Sequence, residues 1–194
     1  MPVVDLAFRL TGNKVPVDHG YALYSAISRF VPEIHEAKNI GVHPIRGNYS
    51  GNGELMLRDS SRLVVRLESE GIGEFLKLAG KRLEIGSYSF RVGVPEVRLL
   101  RPRASLYSRL VTIKGFMEPK GFLEAAKRQI EKMGLTAELQ IGERRTLRVK
   151  DKQVVGFEVA ATGLNAEDSL RLQENGLGGR RHMGCGIFVP IRTT

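Results

Sequence analysis

Apolar residues crowd the start of the chain and then alternate. Val3 to Leu10 is β-branched at first and runs on through Ala7-Phe8-Arg9-Leu10, which predicts a strand. Thr11 to Lys14 reads as a turn and Val15-Pro16-Val17 as an extended lead-in. Leu23, Ala26, Ile27 and Phe30 then recur at helical spacing, predicting an amphipathic helix over 19–31 with Asp18 as its N-cap. Pro32 opens a second short helical piece, Glu33 to Lys38. Gly41 to Arg46 is extended and Asn48 to Gly53 is a polar loop. Glu54 to Arg58 and Arg62 to Glu68 both alternate, predicting a hairpin closed by Asp59-Ser60-Ser61. Ile72, Phe75, Leu76 and Ala79 predict a helix over 72–79, and Arg82 to Ile85 and Tyr88 to Val94 are strands broken at Gly86. Strand, helix, strand, strand, helix, strand is the split βαβ order of a ferredoxin-like domain.

The order then begins again. Tyr107 to Lys114 is a strand, and Pro119 starts a helix with Phe122, Leu123, Ala126, Ile130 and Met133 on one face, closed by Gly134. Ala137 to Ile141, Thr146 to Lys150 and Val154 to Ala160 are extended, Ala166 to Gln173 is a helix behind Asn165, and Gly186 to Ile191 is a last strand. The expected class is α+β, with two tandem ferredoxin-like (RRM-like, βαββαβ) domains over 1–95 and 96–194, joined near Pro95 to Arg103.

Charge narrows the range of partners. The 194 residues carry a formal net charge of +9 and 42% hydrophobic residues, enough for a core and basic enough to favour nucleic acid over a membrane surface. Fourteen lysines and arginines face six acidic residues between Val97 and Lys152, so most of the surplus lies there. Arg144, Arg145, Arg148, Lys150 and Lys152 crowd one hairpin, which is either a solvated face or a row of phosphate contacts. A single cysteine, Cys185, excludes an internal disulfide and a Cys-based zinc finger, and its setting beside glycines suits a small buried side chain. No apolar run reaches the ~18 residues of a membrane span, and Met1-Pro2-Val3-Val4-Asp5 lacks a signal peptide's basic start, so a cytoplasmic protein is expected.

Near the C-terminus, Gly176, Gly178, Gly179, Gly184 and Gly186 surround Arg180, Arg181 and His182. Glycines permit positive φ and close approach of backbone N–H groups to a phosphate, and the cationic triplet supplies counter-charge. The stretch reads as a clamp for a polyanionic backbone.

Of the four histidines, His19, His35, His43 and His182, none is spaced i, i+4 on a helix with another, so no metal or other cofactor is expected. His19 and His35 flank the first helix. Imidazoles there can take or give a proton at a ribose 2′-OH or a 5′ leaving oxygen, while a nearby Lys or Arg stabilises the phosphorane. The plainer reading is that His19 caps the helix and His35 sits on the surface.

The stretch Gly176-Leu177-Gly178-Gly179-Arg180-Arg181-His182-Met183-Gly184-Cys185-Gly186 resembles the glycine-rich signature of the repeat-associated RNA-binding superfamily of CRISPR systems. The segments from Val15 to Arg29, Ile34-His35-Glu36 and Ile40 to Gly47 are similar to the CRISPR precursor-RNA endoribonucleases, in their Myxococcus-type branch. Tyr107 to Phe116, with Arg109 and Lys114, and Arg148 to Lys152 look typical of that branch. The resemblance implies two ferredoxin-like domains and binding of CRISPR repeat RNA within precursor crRNA. It implies metal-independent cleavage that leaves a 2′,3′-cyclic phosphate and a 5′-hydroxyl, and other effector-complex subunits as further partners. His35 is similar to the histidine of the family's Leu-His segment, and His19 stands where relatives carry a tyrosine. Tyr21 or Tyr24 would stand in for that tyrosine, and Lys38 for a lysine that follows. A non-catalytic RNA-binding subunit of the same superfamily is the alternative. A tandem RNA-recognition-motif protein fits less well, because aromatics are 7% and no Phe-x-Phe pattern occurs.

Overall fold

In the computed structural model, which describes residues 1–35 and 39–191, the chain divides into two units, Met1–Leu99 and Leu100–Thr194. The first is assembled on β1 (Val3–Thr11). Its alternation places Val4, Leu6 and Phe8 in the core and Asp5 and Arg9 on the opposite face. After β2 (Lys14–Pro16) comes α1 (Gly20–Ser28), then a 3₁₀ turn at Pro32–His35 and β3 (Gly41–Val42). β4 (Asn48–Gly51), β5 (Glu54–Met56) and β6 (Arg62–Glu68) lead to α2 (Ile72–Phe75), and β7 (Arg82–Ile85) and β8 (Tyr88–Leu99) close the unit.

β1 lies between β6 and β8, antiparallel to both, in a five-stranded sheet ordered β3-β6-β1-β8-β7. Leu23, Ala26 and Ile27 of α1 join Leu6, Phe8, Leu63, Val65, Leu83, Phe90 and Val92 in one core. This is the expected ferredoxin-like arrangement, with one strand pairing misread. β5 and β6 do not form a hairpin. β5 belongs to a separate three-stranded sheet, β2-β5-β4, while β6 pairs with β1 and β3. Ser61 accounts for the parting: its hydroxyl donates to Arg46 O (2.6 Å) and accepts from Arg58 N–H (2.9 Å), holding 59–61 as a corner. The expected 72–79 helix also shortens, passing into a 3₁₀ turn at Leu76–Leu78.

The second unit repeats the plan. β9 (Leu106–Val111), α3 (Pro119–Lys132), β10 (Glu138–Val149), β11 (Lys152–Thr162), α4 (Ala166–Asn175) and β12 (Val189–Pro190) follow in order. The sheet runs β10-β11-β9-β12, all antiparallel. Phe122 of α3 and Phe157 of β11 meet with centroids 4.8 Å apart at the centre of its core. Asn165 caps α4, its side chain accepting from Asp168 N–H at 2.8 Å. The last strand is shorter than the Gly186 to Ile191 expected, because residues 176–188 serve a different purpose.

Candidate active site and basic surface

Burial of Leu23, Ala26 and Ile27 fixes the rotation of α1 and leaves Tyr24 half-buried at its edge. The helix then tightens: Phe30 and Val31 N–H both donate to Ile27 O (2.9 and 3.0 Å). Pro32 starts the 3₁₀ turn, whose Ile34 is anchored in the core and whose His35 is thereby turned outward. The Tyr24 hydroxyl and His35 Nδ1 share a hydrogen bond, with ring centroids 5.3 Å apart at 81°. Burial, and then the neighbouring Tyr21, raise the Tyr24 phenol above its ordinary pKa, so it keeps its proton at neutral pH. An exposed imidazole with one nitrogen fixed by a neutral phenol has its other nitrogen, Nε2, available for proton transfer.

His19 is placed quite differently. It occupies the N-cap position of α1 without a side-chain cap, so the expected Asp18 cap is displaced by one residue. Its ring is 1% exposed; Nδ1 lies 2.8 Å from Pro16 O, and Nε2 accepts from Ile45 N–H at 2.8 Å. Nδ1 therefore carries the proton, and both nitrogens are engaged by backbone. The two histidines paired in the sequence reading are thus divided, one facing solvent and one tying the start of α1 to residue 45.

In the glycine-rich stretch the glycine N–H groups are engaged within the protein. Leu177 N–H donates to Gly186 O, Gly178 N–H to Gln129 Oε1, Gly179 N–H to Thr112 O and Gly186 N–H to Leu110 O. Gly176, Met183, Gly184 and Cys185 N–H groups are likewise committed within the segment or to α4. Gly178 (φ +73) and Gly186 (φ +66) explain the residue choice, for a Cβ would lie 2.4 Å from Thr112 O or 2.1 Å from Leu177 O. The glycines let backbone pack on backbone. Arg181 turns inward, its Nη1 donating to Asn175 O at 2.9 Å, whereas Arg180 and His182 are half-exposed and Gly179 is open.

The basic hairpin is β10 and β11, and its members are unequal. Arg145 donates to Glu158 (2.6 and 2.9 Å) and pairs with Glu143 (2.9 Å). Burial would raise the Glu158 carboxyl, but Arg145 and the Tyr107 hydroxyl bring it below its usual range. Tyr107 is pushed up to about 12, by burial first and then by Glu158. Arg145 is thus held within the sheet face, while Arg144, Arg148, Lys150 and Lys152 are exposed, as are Arg109 and Lys114.

A family model described as Cas6 Crispr matches residues 4–193. The chain belongs to the Cas6 family. It is similar to the CRISPR-associated endonuclease Cas6 of Myxococcus xanthus (strain DK1622), with 44% identity over 190 residues, 98% of this chain and 82% of that protein. Among solved structures, the product of a Cas6-related gene from Pyrococcus furiosus has a similar fold, at 18% identity and a TM-score of 0.68 over 99% of this chain and 100% of that one. So does a RAMP protein binding different RNA substrates, at 18% identity and a TM-score of 0.69 over 97% of this chain and 100% of that one.

One charged cluster of this Cas6 chain is announced by no sequence motif. Asp5 of β1 accepts from Arg66 of β6 at 2.7 and 2.9 Å, and His43 Nε2 lies 3.4 Å from the same carboxylate. Burial would raise Asp5, but the hydrogen bonds and charges of His43 and Arg66 hold it well below the usual carboxylate range. Burial pulls His43 below its ordinary value. The only trace in the sequence is one aspartate inside an apolar strand. Lys38 falls outside the described residues. Among the described residues no three His, Cys, Asp or Glu side chains gather as a metal site requires, and no helix is long and apolar enough to cross a membrane.

Proposed function

We propose that the chain is an endoribonuclease that binds CRISPR repeat RNA in the cytoplasm and cleaves precursor crRNA within the repeat without a metal ion. The exposed Tyr24–His35 pair carries this reading. His35 donates Nδ1–H to the Tyr24 oxygen, which leaves the Nε2 lone pair to take the proton of a ribose 2′-OH. The 2′-oxygen attacks phosphorus in line, the bond to the 5′ oxygen breaks, and that oxygen takes a proton back from the imidazolium. The products are a 2′,3′-cyclic phosphate and a 5′-hydroxyl. Lys38, three residues beyond His35, supplies charge to the phosphorane. Arg109, Lys114, Arg144, Arg148, Lys150, Lys152, Arg180 and His182 hold the RNA, with the glycines as the scaffold that presents Arg180 and His182. His19 and Arg145 hold the structure in shape.

The relative from Myxococcus xanthus supports the nuclease class, since its name is that of a CRISPR-associated endonuclease. The test is incubation of the protein with repeat RNAs in excess EDTA, followed by identification of the product ends. A cyclic phosphate and a 5′-hydroxyl are expected. Cleavage that requires added Mg²⁺ or leaves a 5′-phosphate overturns the metal-free chemistry. Tight binding with no cleavage in either condition makes the chain an RNA-binding subunit.

A further inference from the structure

The 3₁₀ turn that carries His35 is short and lies at the surface, spanning the four residues Pro32–His35. In a 3₁₀ helix successive side chains project about 120° apart, so Glu33, Ile34 and His35 point in three different directions. Ile34 is buried in the core, His35 turns out to meet Tyr24, and Glu33 takes the remaining side. A single buried side chain acts as a pivot. It fixes where the turn sits and leaves open how far the turn rolls about that point.

Glu33 meets Lys77, 44 positions further along the chain. Lys77 Nζ donates to Glu33 Oε1 at 3.2 Å, and also to the carboxylate of Glu74, three residues before it. Lys77 itself lies on the 3₁₀ turn Leu76–Leu78, which Leu78 and the preceding Phe75 seat in the core. The ammonium is therefore offered from a firm base. The same stretch sends back a second lysine. Lys81 Nζ lies 5.8 Å from the ring centroid of Phe30, in the link between α1 and the His35 turn. One segment, residues 77–81, thus grips residues 30–35 at two points. The Glu33 carboxyl lies below its ordinary value, through its own backbone N–H first and then Lys77. Glu74 first and then Glu33 raise Lys77, so the Glu33–Lys77 pair is ionised at neutral pH.

We infer that Lys77 is a positioning residue for His35: through Glu33 it stops the 3₁₀ turn from rolling about Ile34 and keeps the imidazole on Tyr24. The inference rests on the proposed role of His35 in cleavage. Two observations separate this role from a direct one. Lys77 stands between two carboxylates, so its charge is already answered and it has little to offer a phosphate. Its partner on the turn is Glu33 and not the imidazole, so it acts on the backbone that carries His35. The three side chains are 48–51% exposed, and ion pairs so exposed contribute little to folding. What they govern here is an angle. Proton transfer is sensitive to that, since a misplacement of about 1 Å slows a reaction.

The test uses full-length protein and repeat RNA in EDTA, with cleavage followed in single turnover at saturating protein. Lys77→Gln and Glu33→Gln should each slow cleavage about two- to fivefold, the range of an exposed ion pair. The double variant should be no slower than either, because both changes break one contact. Lys77→Arg keeps the charge and the reach and should restore most of the rate. RNA affinity and melting temperature should hold in all four proteins. Ring-nitrogen NMR shifts of His35 should show the proton on Nδ1 in wild type and drift towards those of a free histidine in Lys77→Gln. A merely structural residue would leave them in place. Losses that multiply in the double variant overturn the inference, as does a slowed variant whose His35 ring is unmoved. Weaker RNA binding by Lys77→Gln also overturns it and makes the lysine a phosphate contact. Wild-type rates in Lys77→Gln, alongside a crippled His35→Ala, overturn this inference alone. A His35→Ala protein that cleaves as fast as wild type defeats the reading of the active site, and the inference with it.

Discussion

Tyr24 on α1 and His35 on the following 3₁₀ turn meet edge to face, hydroxyl to Nδ1, although they are eleven positions apart in the chain. The contact exists because Ile34 is held in the core and its neighbour must therefore face out. His35→Ala should lower single-turnover cleavage of a repeat RNA by about 10²- to 10⁴-fold, the range of a lost general base. Tyr24→Phe keeps the packing and removes the oxygen, which should cost roughly five- to tenfold, about 1 kcal/mol of barrier. RNA affinity should be unchanged in both. An unimpaired His35→Ala protein would remove this pair from the chemistry.

His19 should behave as a fold residue. Removing its ring leaves Pro16 O and Ile45 N–H buried without their partner, a loss of about 2–6 kcal/mol at ~1–3 kcal/mol per group. Urea unfolding of His19→Ala should show that loss, while the folded fraction cleaves within a few-fold of wild type. A tenfold slower rate at unaltered stability would return His19 to the active site.

The glycine stretch separates by position. Gly178→Ala and Gly186→Ala drive a Cβ into Thr112 O and Leu177 O at a positive φ, so both should lower the melting temperature markedly. Gly179→Ala meets open space and should be nearly neutral for stability. Equal melting temperatures for all three would contradict the packing role.

His43 gives a pH dependence with a definite sign. Its folded pKa is depressed by burial, so below about pH 6.5 the unfolded chain takes up a proton that the folded chain refuses. Stability from this group is complete above that pH and declines as pH falls towards the folded value. Asp5, Arg66 and Arg46 are the charged groups that act on His43, and Asp5 stays ionised through this window. Urea midpoints measured between pH 7.5 and 5 should fall on acidification, and His43→Gln should flatten the curve. A midpoint that rises on acidification would show that Asp5 outweighs burial.

Periodicity sufficed for β1, α1, α3, α4 and the repeated ferredoxin-like order, because each buries one face in a local pattern. Partner choice was harder. β5 and β6 alternate equally well, and only the Ser61 corner, bonded to Arg46 from outside the pair, sends them into different sheets. The site divides in the same way. His35 was visible as a histidine after a helix, but its availability depends on the anchoring of Ile34. His19 looked equivalent until its two backbone partners, from residues 16 and 45, were seen. Glu33 and Lys77 are 44 positions apart, and nothing short of the tertiary packing brings them together.

The bent segment from Gly176 to Gly186 is closed to side chains at two points. Thr112 and Leu177 direct carbonyl oxygens at α-carbons so closely that the fold itself rejects a side chain there. Such glycines answer to architecture before chemistry. In this chain they let residues 176–186 fold back on β9, the strand that β12 then joins.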